Sequence, residues 1–491
     1  MGTRIVAGSC VIALMFAASA RPQELGETSS SGAANAPRQN PPPNQRAWDE
    51  KRITLPRAGA SIAYVPHEAT PHVVLLVSGA AGWDRQMVGI ARSMATQAIV
   101  VGINYHALKR TAGRESGCWY MASDFEIMSH SAQKTLKLPQ YHAPVLVGYA
   151  EGAAIVYAAL AGGPATTFAG AISAGFCPTV AITRDICAGD AWTPEYDDRK
   201  RVNTVPPLKT LPRDWYVLEG IPNNSCSANA ARQFVVGLPK AHVANASELM
   251  ASLQDLWTEK EVKPPAAQPR SATARELEDE LQRLQLPLEF RWPAPPMSAL
   301  LLFFSGDGGW ASLDEEVAEH LVSQGIGVIG VSSLRYFWQA KPPAQVAADI
   351  RRITGVLTRA AKPIFVGGFS FGAEVVPVAL TEWMPGERRA LAGLTLIAPG
   401  PSASFEIDPL DWIRKPPENA ETRVAPAVRT DAVPTLCLAG AEEDDSPCAA
   451  LGGVPSVRVV RLPGSHHFNS NYSAVGETVA QFIRASGEKR P

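Results

Sequence analysis

The chain has 491 residues, 46% of them apolar, and a formal net charge of −2. That length and apolar content allow two or more well-packed domains. The near-neutral balance, with no basic block and no acidic tail, argues against a nucleic-acid partner.

The N-terminus reads as an export signal over residues 1–20. Arg4 supplies the positive charge, "IVAGSCVIALMF" (5–16) the apolar region and "ASA" (18–20) the small-residue cleavage site. The apolar run is about a dozen residues, too short for a bilayer, which needs roughly 20. Cys10 is poorly placed for lipid attachment, because only nine residues precede it. Residues 21–55, which include "TSSSGAANAPRQNPPPNQR" (28–46), lack the apolar content to offset ordering, and a disordered linker is expected there. A second linker is expected at 259–284, where "KPPAAQPR" precedes the charged, helix-favouring "TARELEDELQRLQ".

Two blocks remain, 56–258 and 285–491, and they read as repeats. "VVLLVSGAAGW" (73–83) parallels "ALLLFFSGDGGW" (299–310), and "VLVGYAEGAA" (145–154) parallels "IFVGGFSFGAE" (364–374). "FAGAISAGFCP" (168–178) parallels "LAGLTLIAPGP" (391–401), and "WYVLEGIPNNSC" (215–226) parallels "PTLCLAGAEEDDSPC" (434–448). "VVGLPKAH" (235–242) parallels "VVRLPGSH" (459–466). Short continuous apolar runs alternate with amphipathic helical patterns such as "PAQVAADIRRITGVLTRA" (343–360). Each block is therefore expected to be a mostly parallel sheet flanked by helices.

In the second block, Gly368-Phe369-Ser370-Phe371-Gly372 is a G-x-S-x-G between a strand and a helix. Small residues two positions either side permit the tight turn that exposes a serine at the carboxyl edge of a sheet. Ser370 is the expected nucleophile. Its base should follow it in the chain, which leaves "LPGSHHFNS" and favours His466, with His467 the fallback. His242 of the first block aligns with His466 and supports that choice. The orienting acid should follow the strand at 435–439. Asp445 is the first choice, with Asp444 and Glu443 open. An oxyanion hole is expected from the N–H of Phe371 and of Asp307 or Gly308 in "FSGDGGW" (304–310). Trp310 either closes the pocket or packs. In "SSLRYFW" (332–338), Arg335 is placed to hold a phosphate and Tyr336 to wall an acyl pocket, or both serve the scaffold.

The first block carries Ala150 at the nucleophile position and Asn224 at the acid position. Only His242 remains, so a degenerate, binding or bracing domain is expected. Beyond the signal, six cysteines remain, an even number suited to an oxidising compartment. Cys437 and Cys448, eleven apart, are the expected bridge. No CxxC or Cys/His spacing suggests zinc, and neither metal nor cofactor is expected.

The strings "SGDGGWASLDEEVAEHL", "GVSSLRYFWQAKPPAQVAADI", "GFSFGAEVVP" and "LPGSHHF" resemble the motif run of the bacterial VirJ/AcvB virulence-protein family, over roughly residues 297–487. The two-block layout is similar to the longer AcvB type. The resemblance implies tandem α/β-hydrolase-like domains and a periplasmic serine hydrolase with Ser370 as nucleophile. It implies as substrate an aminoacylated phospholipid at the membrane surface, aminoacyl-phosphatidylglycerol and typically its lysyl form. It also implies links to virulence and to type IV secretion-system proteins. On that reading Glu374, Glu442 or Asp307 would hold a cationic amino acid and Arg335 the lipid phosphate. A general carboxylesterase or thioesterase, or a noncatalytic periplasmic adaptor, are the alternatives.

Overall fold

The computed structural model describes residues 47–487, apart from 115–116, 189–191, 222, 224–225, 227–228, 259–270, 409–421 and 430–432. The expected export signal, Cys10 and Asn224 lie outside the described residues. The chain divides into two compact units, one comprising residues 47–136 and 142–258 and the other residues 137–141 and 271–487.

The first unit holds β1 (Trp48–Leu55), β2 (Gly59–Pro66), β3 (Val73–Val77), β4 (Ile99–Ile103), β5 (Val145–Tyr149) and β6 (Gly170–Ala174). The short β7 (Thr179–Val180), β8 (Glu195–Asp197) and β9 (Val202–Thr204) form a small separate sheet, followed by β10 (Trp215–Glu219) and β11 (Ala241–Asn245). The second unit holds β12 (Leu288–Arg291), β13 (Ala299–Phe304), β14 (Ile326–Val331), β15 (Ile364–Phe369), β16 (Gly393–Ile397), β17 (Thr435–Gly440) and β18 (Val457–Leu462).

The main sheets run β1-β2-β4-β3-β5-β6-β10-β11 and β12-β14-β13-β15-β16-β17-β18. Apart from β1 the two orders coincide. In both, an antiparallel strand enters at one edge and every later pairing is parallel. The central strands are buried along their whole length, as apolar runs in a two-sided parallel sheet must be. In β13, Leu300, Leu302 and Phe304 join Ile350 and Ile353 of the helix Pro343–Leu357. Leu301 and Phe303 face the other side with Leu313, Val317 and Val479. Each such side chain contributes roughly 1.5–3 kcal/mol on burial.

Both expected linkers need correction. Residues 48–55, at the end of the supposed disordered segment 21–55, form β1 and pair residue for residue with β2. Ile53 and Leu55 are the buried positions of that strand, and their alternation anchors it. Within 259–284, residues Ala272–Gln282 form a helix. The Ser271 side chain caps it by accepting the N–H of Ala274, and it buries Ala274, Leu277 and Leu281. Three apolar residues at helical spacing were enough to dock a segment that is otherwise charged.

Candidate active site

The nucleophile position is set by backbone sterics. Ser370 sits at φ 50°, ψ −117° between β15 and the helix Phe371–Leu380. A Cβ on Gly368 would come within 2.5 Å of the Phe304 carbonyl oxygen, and one on Gly372 within 2.1 Å. The turn therefore crosses the end of β13 so closely that only glycine fits on either side of the serine. This lifts the Ser370 hydroxyl above the carboxyl edge of the sheet and keeps it partly open to solvent.

His466 lies between the serine and a carboxylate. Its Nε2 is 2.8 Å from Ser370 Oγ and its Nδ1 is 2.6 Å from Glu443 Oε1. The serine hydroxyl donates to Nε2 while Nδ1–H donates to the carboxylate, the tautomer that general-base catalysis needs. Glu443 is held in turn by the Gly440 N–H, which donates to its Oε2 at 2.7 Å. The histidine loop docks on the acid loop through Ala441 N–H to Leu462 O and Glu442 N–H to Gly464 O. A side chain on Gly440 would lie 2.4 Å from the Ser465 carbonyl oxygen, so glycine admits this close approach. Phe468, fully buried, pins the far side of the histidine loop.

Burial alone would push the His466 imidazole down. The bond and charge of Glu443, with Asp307 and Glu374 nearby, carry it above its ordinary value. Burial would raise the Glu443 carboxyl, but the His466 bond and the Gly440 N–H hold it below the usual range. His467 is pushed down by burial and by the charge of His466. Its ring stands at 89° to that of His466, and it is His466 that bonds Ser370.

Asp445, the first choice from sequence, is not the partner of His466, and neither is Asp444. Both are exposed further along the same loop. The physical reason is reach. Gly440 ends β17, the chain turns at once, and position 443 is the one directed back at the imidazole.

Two further expectations change. Trp310 is buried over Gly330, where a Cβ would meet its ring at 2.1 Å, and its Nε1–H donates to Glu315. Tyr336 is buried and donates its hydroxyl to Asp349 at 2.6 Å. Both are scaffold rather than pocket wall. Arg335 is exposed on the short helix Ser333–Tyr336, and its charge acts on Glu289 rather than on the triad.

Phe371 opens its helix, so its N–H has no intrahelical acceptor. The loop 305–310 passes beside the serine: a Cβ on Gly306 would lie 3.8 Å from Ser370 Cβ. The Gly308 N–H is engaged by the Asp307 carboxylate at 3.1 Å, which leaves Asp307 as the better-placed second donor. Glu374, one helical turn beyond Ser370, accepts the Gly400 N–H at 3.0 Å. Burial pushes its carboxyl up to about 7, with the Asp307 charge adding to the rise. Glu442 is exposed. Among the described residues no group of three His, Cys, Asp or Glu side chains is arranged to hold a metal.

The expected Cys437–Cys448 pair is bridged, as are Cys118–Cys187 and Cys177–Cys226. The first bridge closes the segment that carries Glu443. In the first unit, Ala150 keeps the strained turn at φ 50°, ψ −113°. There the Glu151 carboxylate accepts the Ala80 N–H at 2.7 Å. Ala80 follows Gly79 as Asp307 follows Gly306, so the place of the oxyanion is filled by the protein itself.

The supposed survival of a histidine is also corrected. Trp215 takes the register place of Thr435, and Ala241 that of Val457. His242 therefore corresponds to Arg458, inside the edge strand, where it bonds Asp214 at 2.6 Å. "VVGLP" ends a helix and turn, whereas "VVRLP" is strand, so the strings match and the elements do not. By the same register Asn223 stands where Glu443 stands, and its amide donates to the Gly175 carbonyl.

Strand order, strained serine and assembled triad together define a serine hydrolase of the α/β-hydrolase class. By sequence, residues 298–486 match the family described as Bacterial virulence protein (VirJ). No curated protein matches the chain. Among solved structures, it is similar to Est1E from Butyrivibrio proteoclasticus with ferulic acid bound, at 16% identity, 41% of this chain, 95% of that chain and TM-score 0.31. MenH from S. aureus is similar at 13% identity, 40% of this chain, 98% of that chain and TM-score 0.32. Proline iminopeptidase of Mycobacterium smegmatis is similar at 14% identity, 41% of this chain, 95% of that chain and TM-score 0.30.

Proposed function

We propose that the second unit is an ester hydrolase that releases the amino acid from aminoacyl-phosphatidylglycerol, with the lysyl lipid as leading substrate, at the periplasmic face of a membrane. The observation that carries this reading is charge. Apart from the histidines, the charged groups that act on the His466–Glu374 site are carboxylates: Glu443, Asp307, Glu374 and Asp445. A site of that sign suits an acyl group bearing an ammonium. Three disulfides suit an oxidising compartment. No helix among the described residues is long and apolar enough to cross a membrane.

The chemistry follows from the geometry. Ser370 Oγ attacks the aminoacyl carbonyl as His466 Nε2 takes its proton. The oxyanion meets the N–H groups of Phe371 and Asp307. Collapse expels the glycerol oxygen of the lipid, which takes the proton from His466. Water, deprotonated by the same imidazole, then cleaves the acyl-enzyme and regenerates Ser370 with free amino acid. Glu443 orients the imidazole and stabilises its charged form.

The test is to incubate the purified protein with lysyl-, alanyl- and unmodified phosphatidylglycerol and follow the lipids. Release of the amino acid with accumulation of phosphatidylglycerol is expected, and is lost in Ser370→Ala. Intact aminoacyl lipids alongside turnover of a simple ester would leave a general esterase instead.

A further inference from the structure

We propose that the first unit carries a phosphate-binding cleft around the helix Tyr105–Ala112, and that it takes the phosphodiester of an anionic phospholipid headgroup. The elbow edge of this unit is closed to an anion, because Glu151 already fills the Ala80 N–H. The next crossover along, after β4, opens at the same carboxyl edge of the sheet, where open α/β sheets take ligands.

Two clefts flank that helix, of about 380 and 570 Å³, within the range of ligand sites. Both are lined by His106 and Arg110. Lys109 adds to one and Arg114 to the other, and no carboxylate of the described residues lines either. Asn104, Thr111 and Thr183 contribute polar side chains. A phosphodiester offers only acceptors, so a wall of cations and neutral donors is its complement.

The wall is built rather than loose. Arg184 donates to the carbonyl oxygens of Ala112, Gly117 and Cys118, closing the end of the helix. The Cys118–Cys187 bridge ties the same two segments. His106 Nε2 is fixed against the Ala80 carbonyl oxygen at 2.7 Å. A helix dipole accounts for Lys109 and Arg110 near the C-terminus. It does not account for His106 in the first turn or for Arg114 beyond the end. The whole chain is slightly acidic, at −2, so this cationic surface is local. Its two short clefts do not form the long track that nucleic acid needs. The choice of lipid as the source of the phosphate rests on the function proposed above.

The experiment uses the full chain carrying Ser370→Ala, so that no lipid is consumed. Sedimentation with phosphatidylglycerol vesicles is compared with phosphatidylcholine vesicles. It is repeated for Lys109→Glu/Arg110→Glu/Arg114→Glu and for the milder glutamine triple, each checked for an unchanged melting transition. Preferential binding to phosphatidylglycerol, weakened roughly tenfold or more in both triples and by added salt, is expected. So is displacement by soluble glycerophosphoglycerol. Equal binding to both vesicles, unchanged binding by a folded triple variant, or equal displacement by inorganic phosphate would overturn the proposal. With Ser370 restored, the triples should hydrolyse a water-soluble aminoacyl ester at the normal rate. Loss of aminoacyl-lipid hydrolysis in the unaltered protein would count against the proposed function alone, since the binding assay uses unmodified lipid.

Discussion

Ser370 and Ala150 occupy nearly the same backbone conformation, φ 50° with ψ −117° and φ 50° with ψ −113°. The glycines around both meet the end of the neighbouring strand at impossible range for a Cβ: Gly372 at 2.1 Å from Phe304 O, Gly152 at 2.7 Å from Ser78 O. The frame is therefore common to the two units, while the groups above the sheet are not. Around Ser370 the acid loop and the histidine loop dock on each other through Gly440. The corresponding Gly220 has nothing within 4 Å where a Cβ would be. The first unit has lost more than a hydroxyl. The loop that would deliver a base is not folded back to the site, and a carboxylate sits where an oxyanion would. Strain kept at an alanine without chemistry shows that the turn belongs to the packing of the sheet.

This contrast can be broken by mutation, and the largest effect is expected at the serines. Ser370→Ala should lower ester hydrolysis by about 10⁴-fold or more. Ala150→Ser added to it should restore nothing, since His242 lies inside the edge strand bonded to Asp214 and no Ser–His–carboxylate relay stands at that turn among the described residues. Recovery of activity would refute the account of the first unit. Next comes the bridge. Cys437→Ser with Cys448→Ser frees the segment holding Glu443, and should cost about 3 kcal/mol of stability and lower kcat more than it raises KM. Calorimetry and steady-state kinetics check both.

A smaller effect is expected from the carboxylates. The base must be neutral, so kcat/KM rises with pH through the His466 value, which carboxylates hold above that of an ordinary histidine. Asp307→Asn or Glu374→Gln removes one such charge. Each should move the acid limb of the pH–rate profile to lower pH and raise KM for a lysyl ester more than for an uncharged acyl ester. The smallest effect falls in the first unit. Ala150→Gly relieves a positive φ that alanine tolerates poorly and should raise the melting temperature, by about 0.5–1 kcal/mol in stability, without touching turnover.

Much of this was legible in the sequence, for reasons that also explain the misses. Continuous apolar strands, the G-x-S-x-G and the order Ser before His depend on local pattern, and these led to the sheet, the elbow and His466. The acid was misassigned because "EEDD" gives four carboxylates in a row, and only the turn at Gly440 decides which one points back. His242 misled because a similar string lies on a different element. Trp310 could have been recognised as scaffold. Trp83 packs over Gly102 in the first unit as Trp310 packs over Gly330 in the second. A residue retained where there is no chemistry serves packing. Tyr336 carried no such signal, since its partner Asp349 lies on another helix.

The triad itself is tested most directly by measuring kcat/KM on one aminoacyl ester for Glu443→Gln and Asp445→Asn side by side. The 2.6 Å contact between Glu443 and His466 predicts a loss of about 10³–10⁴-fold in the first and a change of no more than a few-fold in the second. A large loss in Asp445→Asn with little in Glu443→Gln would contradict the site as described.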